Sequence, residues 1–481
     1  MRQKVDLING KPGQSMFLFA LPMIAGNLFQ QFYNMADSII VGRFVGEDAL
    51  AAVGASYSFT TVFIMVAIGG GMGASVLVSQ YLGARKYGEM KTAVSTFLLA
   101  FAVFGTLLAL FGFFANPTIL KVLKTPDNIF ADAVTYLQIY FVGLPFLFMY
   151  NILAANFNAL GKSEIPLYLL IFSSVLNVFL DLVMVLVFHL GVAGVAIATV
   201  LAQGVSSLIS FMVLLRKLRE FDAKSAGREV AAETPGCQDG KMEGRMAAVE
   251  TPRQQNVRAR LFDVGMFFGG LKIAVPSIVQ QSIVSIGLLL TQSAVNVFGS
   301  SSVAGYSAGM RLESICIVPM IATGNAMSTF AAQNLGANKV ERVREGYHAA
   351  YRIIIGFAVL LLVISQLFYR PIVSLFVSET ESAVAFSVGA ACFRFEACFM
   401  CLIGFKSITD GILRAAGDVN VYMLANLVNL TLRVSVARLL SPVFGIEVIW
   451  YAVPLGWAVN YLISYTWYRT GHWKKKNLIG Q

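Results

Sequence analysis

Apolar runs of about twenty residues recur along nearly the whole chain, broken by short polar or basic stretches. Each run is long enough to cross about 30 Å of hydrocarbon as a helix. By length and hydropathy the pattern predicts twelve spans, at 16–41, 51–80, 92–113, 131–155, 165–188, 191–216, 267–298, 303–331, 347–368, 386–410, 419–440 and 449–469. A membrane β-barrel would instead alternate in segments of about ten residues. The expected fold is therefore an all-α polytopic membrane protein.

Charge gives the spans a direction. Arg2, Lys4 and Lys11 precede the first, Arg85, Lys86 and Lys91 follow the second, Arg216, Lys217 and Arg219 follow the sixth, and Lys474, Lys475 and Lys476 lie near the C-terminus. The alternate loops hold few basic residues, among them Arg43, Lys121 and Arg370. The basic face is expected to lie in the cytoplasm, with both termini, in a multi-pass cell-membrane protein. Composition agrees: 57% of the 481 residues are apolar and 13% charged, against about 25% charged in soluble proteins. The net charge of +10 follows the loops and does not imply nucleic acid. No cleavable signal peptide is expected before the first run.

The two halves repeat. Pro22 in span one corresponds to Pro276 in span seven. Gln80-Tyr-Leu-Gly83-Ala-Arg-Lys86 after span two corresponds to Gln333-Asn-Leu-Gly336-Ala-Asn-Lys339 after span eight. Asn158-Ala-Leu-Gly161 corresponds to Arg414-Ala-Ala-Gly417. Six spans per half give both halves the same orientation, so the repeat axis runs along the membrane normal and a cavity is expected between the lobes. Residues 221–260 are polar, without helical period, and predict a flexible cytoplasmic linker. The expected division is a lobe at 1–220, the linker, and a lobe at 261–481.

Taken in order, these motifs resemble the multidrug and toxic compound extrusion (MATE) family: the Pro22…Asn34-x-x-Asp37…Gly42 pattern, the Gly69-Gly-Gly-Met-Gly73 run, and Gln-x-x-Gly-Ala at both Gln80 and Gln333. The resemblance covers nearly the whole chain outside the linker. It implies twelve helices in two pseudo-symmetric six-helix lobes that form an outward-opening V. The activity it implies is export of amphipathic, often cationic, compounds in exchange for H+ or Na+. Asp37 with Asn177-x-x-x-Asp181 resembles the DinF-like branch, whose ion-coupling residues lie in the N-terminal lobe.

The residues support such a site in their own right. A carboxylate at the centre of a span costs about 2.5–3.5 kcal/mol on the insertion scale. Asp37, Asp181 and Thr199 fall at similar depth by counting turns, and Asn177 lies one turn from Asp181 on the same face. Two carboxylates with amide and hydroxyl oxygens suit Na+ or a shared proton, and Asn151 on span four is a further candidate. The alternative is that each aspartate caps or pairs structurally, but basic partners are missing from these spans. Pro22 is expected to kink span one, with Pro276 its counterpart.

The second half carries other charges. Glu313, Arg394, Glu396 and Arg433 share a depth and are expected to form an ionic cluster, while Lys406 and Asp410 are i,i+4 partners. The repeat sets Arg433 opposite Asn177 and Ala437 opposite Asp181, so the lobes differ chemically. Cys398-x-x-Cys401 has redox or zinc spacing but no nearby histidine, and free thiols are expected. His189, His348 and His472 are scattered, so neither an enzyme nor a cofactor is expected, nor any metal beyond Na+. The expected partners are drug-like small molecules and membrane lipids, around a monomer. The rivals are a lipid-precursor flippase of the same superfamily and a major-facilitator transporter. The loop Gly83–Lys91 lacks the Asp-Arg signature of the latter.

Overall fold

Helices occupy every predicted span. The computed structural model describes residues 5–122, 125–233, 259–380, 382–474, 476, 478 and 479. The first lobe contains α1 (Pro12–Ile40), α2 (Glu47–Gly83), α3 (Tyr87–Val122), α4 (Asp127–Ala159), α5 (Glu164–Leu182) and α6 (Gly191–Glu233). The second contains α7 (Val264–Val295), α8 (Ser300–Cys316), α9 (Val318–Gly336), α10 (Val340–Ser374), α11 (Ala383–Ala397), α12 (Met400–Ala415), α13 (Val419–Phe444) and α14 (Glu447–Thr470). Among the described residues, nine of these spans are long and apolar enough to cross a membrane, and the α11–α12 pair makes a tenth. The more polar α1 and the aromatic-rich α14 complete six spans per lobe.

Two spans are broken in the second lobe. Span eight divides at Ile317 into α8 and α9, with Pro319 in the first turn of α9, where its missing N–H leaves no hydrogen bond unmade. Span ten divides at Cys398 and Phe399, and α11 and α12 meet at a bend of 50°. α10 departs from helical angles at Phe368, just before Pro371, whose ring clashes with the carbonyl four residues back. By contrast, the helical run is continuous through both Pro22 and Pro276.

The repeat is visible in the backbone. Left-handed residues occur in matching turns of the two lobes: Gly46 and Gly299, Arg85 and Asn338, Gly161 and Gly417, Gly191 and Gly445. α6 continues as a helix to Glu233, into the stretch expected as linker, and the remainder of that stretch, 234–258, lies outside the described residues. The chain then returns along α3. The Arg260 and Asp263 amides each donate to a threonine there, Thr92 and Thr96, at 3.0 Å, and Asp263 caps α7 by accepting from the Met266 amide at 2.9 Å.

The lobes meet at the end that carries the termini. Met16, Phe19 and Ile24 of α1 are buried in one apolar cluster with Met327 and Phe330 of α9 and Ile412 of α12. The two Gln-x-x-Gly-Ala motifs cross there. Gln80 Nε2 donates to the Ala415 carbonyl at 2.7 Å, and Gln333 Nε2 donates to the Ala159 carbonyl at 2.8 Å. A methyl group at Gly83 would lie 1.9 Å from the Gln333 carbonyl oxygen, and one at Gly336 would lie 2.0 Å from that of Gln80. Only glycine permits this reciprocal approach of two backbones. Away from the seam, exposed apolar ridges such as Leu99, Val103, Leu107 and Phe111 on α3, and Ile355, Val359, Val363 and Leu367 on α10, form a lipid-facing surface.

Candidate functional site

Asp37 and Asp181 come together. Their side chains are close enough to interact directly, although 144 residues separate their neighbours Tyr33 and Asn177 in the chain. α1 and α5 bring them into contact, and each aspartate sits in the last α-helical turn before a π-helical segment, Val41–Val45 or Val183–Val187. Such wide turns interrupt the regular i→i−4 ladder and recur at functional sites. Asp181 is fully buried, and one oxygen of each carboxylate (Oδ1 in both) is buried without a hydrogen-bond partner. Facing carboxylates with free lone pairs can hold a shared proton or a hard cation.

Asn177 and Thr199 lie beside the pair. The Tyr33 hydroxyl donates to the Asn177 side-chain oxygen at 2.5 Å, and the Asn177 amide reaches the Thr199 hydroxyl at 3.4 Å. With the Asn177 amide turned over, its nitrogen donates to Asp181 Oδ2 at 3.3 Å and its oxygen accepts from the Thr199 amide at 3.1 Å. The turned arrangement gives Asp181 a donor and agrees better with a carboxylate site. Asn151 stands apart: its amide donates to the Leu147 carbonyl at 2.9 Å, and it lines the cavity between the lobes.

Two tyrosines were not anticipated from the sequence. Tyr33 lies one turn before Asp37, and the partly buried Tyr136 of α4 is close enough to both aspartates to feel their charge. The Tyr33-x-x-x-Asp37 spacing was a usable signal, because i and i+4 share a helical face. Nothing local marks Tyr136, which reaches the site only through the packing of α4.

Glu313 of α8, Glu396 of α11 and Arg433 of α13 do gather in the second lobe, each within electrostatic range of the others. No direct ion pair joins them among the described residues, and both Glu396 oxygens and two Arg433 nitrogens have no hydrogen-bond partner. Arg394 turns away instead. It donates to Gln366 at 3.0 Å and lies over the Tyr369 ring, towards α10. Lys406 and Asp410 pair at 3.8 Å, as their spacing predicted. Among the described residues Cys316, Cys392, Cys398 and Cys401 are free thiols, and no group of three or more metal-ligating His, Cys, Asp or Glu occurs.

A cavity of about 350 Å³ lies between the lobes, lined by Pro22, Asn27, Gln30, Asn151, Asn158 and Arg414 among others. A second, of about 360 Å³, lies mostly in the second lobe, with Met65 and Met72 of α2 in its wall, and also reaches Arg414. Two six-helix membrane lobes about a central cavity are the architecture of a membrane transporter. The chain belongs to the MatE family, whose model matches it twice, over 22–183 and 276–439, once in each lobe. It is 28% identical over 476 residues to the probable multidrug resistance protein YpnP of Bacillus subtilis (strain 168), covering 98% of each chain. It is also 28% identical over 472 residues to the probable multidrug resistance protein YoeA of the same organism, covering 97% of this chain and 95% of that protein. Its fold matches a crystal structure of MATE in complex with MaL6 with a TM-score of 0.84 at 20% identity, over 99% of this chain and 100% of the other.

Proposed function

We propose that this protein exports amphipathic small molecules, drug-like cations among them, across the cell membrane in exchange for H+ or Na+. The observation that carries the reading is the Asp37–Asp181 pair, with a free buried oxygen on each carboxylate and Asn177 and Thr199 beside it. Occupation by a proton or Na+ neutralises repulsion across α1 and α5, so the ion binds that packing of the lobe more tightly than any other. Differential affinity of this kind shifts the equilibrium between lobe arrangements. The basic end of the molecule, where the lobes are in contact, faces the cytoplasm. The names of the B. subtilis relatives, and coverage of almost their full length, support multidrug export.

The experiment is transport of rhodamine 6G in proteoliposomes under separately imposed proton and sodium gradients. Wild type should move dye under at least one gradient, and Asp37→Asn should lose gradient-driven movement while remaining correctly inserted. Full gradient-driven transport by Asp37→Asn would remove the coupling role from this pair.

A further inference from the structure

Arg414 is a buried charge that makes no direct ion pair among the described residues, at the place where the two cavities meet. It sits in the last turn of α12 and is 7% exposed. Its Nε donates to Ser328 at 3.2 Å, one terminal nitrogen donates to Asn325 at 3.0 Å, and the other to the Met72 sulfur, across the lobe seam, at 3.3 Å. All three acceptors are neutral. Five N–H donors on a guanidinium leave part of its capacity unused.

The charge of Asp410 reaches Arg414, but that carboxylate is paired directly with Lys406. The cavity of the second lobe is lined by Lys406, Arg414 and Arg433 against Glu313 and Asp410. Lys406 and Asp410 pair at 3.8 Å, and Asp410 also accepts from Ser464 at 2.6 Å. Glu313 lies within the field of Arg433. On this wall the positive charges exceed the negative by one, and Arg414 is the one that also reaches the other cavity. Among the residues that line the cavity between the lobes it is also the single charged one, in a wall of asparagine, glutamine and apolar side chains. Asp37 and Asp181 do not line that cavity. The repeat places Asn158 opposite Arg414, and the buried Asn158 Oδ1 has no partner. A buried, unpaired guanidinium is costly to keep, and its planar fork suits carboxylate, sulfonate or phosphate oxygens.

We propose that Arg414 is a specificity determinant that makes the central cavity accept amphipaths carrying an anionic head group, with the apolar body against Met23, Leu167 and Leu170 of the first lobe. This rests on the transport reading and adds amphipaths with an anionic head group to its substrate class.

The test uses the full-length protein in nanodiscs and two dyes with the same xanthene core, anionic carboxyfluorescein and cationic rhodamine 6G, with binding read by fluorescence polarisation. Wild type should bind the anion. Arg414→Gln should weaken anion binding about tenfold or more while leaving the cation within about twofold, and Arg414→Lys should retain most of it. Asn325→Asp offers the guanidinium a carboxylate of nearly unchanged shape and should suppress anion binding with Arg414 still present, which keeps the test valid if Arg414→Gln folds poorly. Wild type failing to bind the anion, or both variants weakening the two dyes equally, would overturn the proposal. Ion-driven rhodamine 6G transport in the same preparation reports separately on the transport reading.

Discussion

Gly83→Ala should drive the lobes apart at the end that carries the termini. The added methyl group would sit 1.9 Å from the Gln333 carbonyl oxygen, whereas carbon–oxygen contacts normally begin near about 3.3 Å. The two backbones must therefore separate by about 1.4 Å, and the atom in the way is main chain, which cannot rotate aside. That displacement weakens two crossing hydrogen bonds, from Gln80 to Ala415 and from Gln333 to Ala159, each worth about 1 kcal/mol. Steric strain adds a similar amount, for a total of about 2–3 kcal/mol, or about 30- to 150-fold in the equilibrium between the closed and open arrangements of this end. Spin labels at Arg85→Cys and Asn338→Cys, both exposed on matching turns, would report the separation by pulsed electron resonance in an otherwise cysteine-free protein. The variant should populate a longer distance, and Gly336→Ala should do the same because its contact is the mirror of this one. Gly54→Ala is the control, since nothing lies within 4 Å of a methyl group there. An unchanged distance distribution and unchanged transport in Gly83→Ala would refute the view that the crossed motifs hold this end shut.

Other consequences follow from the two lobes. Asn177→Ala should raise the cation concentration needed for half-maximal transport, and Tyr33→Phe should shift it in the same direction by less, since it removes one hydroxyl from Asn177; unchanged ion titrations for both would detach these residues from the site. Arg433→Ala should destabilise the lobe, seen as a lower melting temperature in detergent, by less than the roughly 3–5 kcal/mol of a contacting buried ion pair, because Arg433 makes no direct pair among the described residues. Glu396→Gln should restore part of that loss, whereas a change in cation dependence instead would extend the coupling site into the second lobe. Removing part of 234–258, with enough chain kept to join α6 to α7, should leave transport intact, and loss of transport in a correctly inserted deletion would assign that segment a role of its own.

The aspartate pair shows how far local reasoning reaches. Asp37, Asp181, Asn177 and Thr199 were legible because a carboxylate in an apolar run is conspicuous and depth can be counted in turns. Tyr136 was not, because a tyrosine in a span is unremarkable until its neighbours are known. Arg394 shows the reverse. Its depth matched Glu396 two residues away, yet residues two apart on a helix point in different directions, and its side chain meets Gln366 and Tyr369. Asn151 has a suitable chemistry but faces the cavity between the lobes.

Taken alone, the sequence determined the class of the protein, its twelve spans, the six-plus-six repeat and the candidate carboxylates. Hydrophobic length, loop charge and repeated motifs are linear quantities, and the bilayer permits few structures for them to specify. The tertiary structure decided which polar groups share a space: the break in span eight and the bend in span ten, the crossing of the two Gln-x-x-Gly-Ala motifs, and the position of Arg414 between two cavities. These depend on side-chain direction and on contacts between segments far apart in the chain, and a one-dimensional pattern of polarity contains neither.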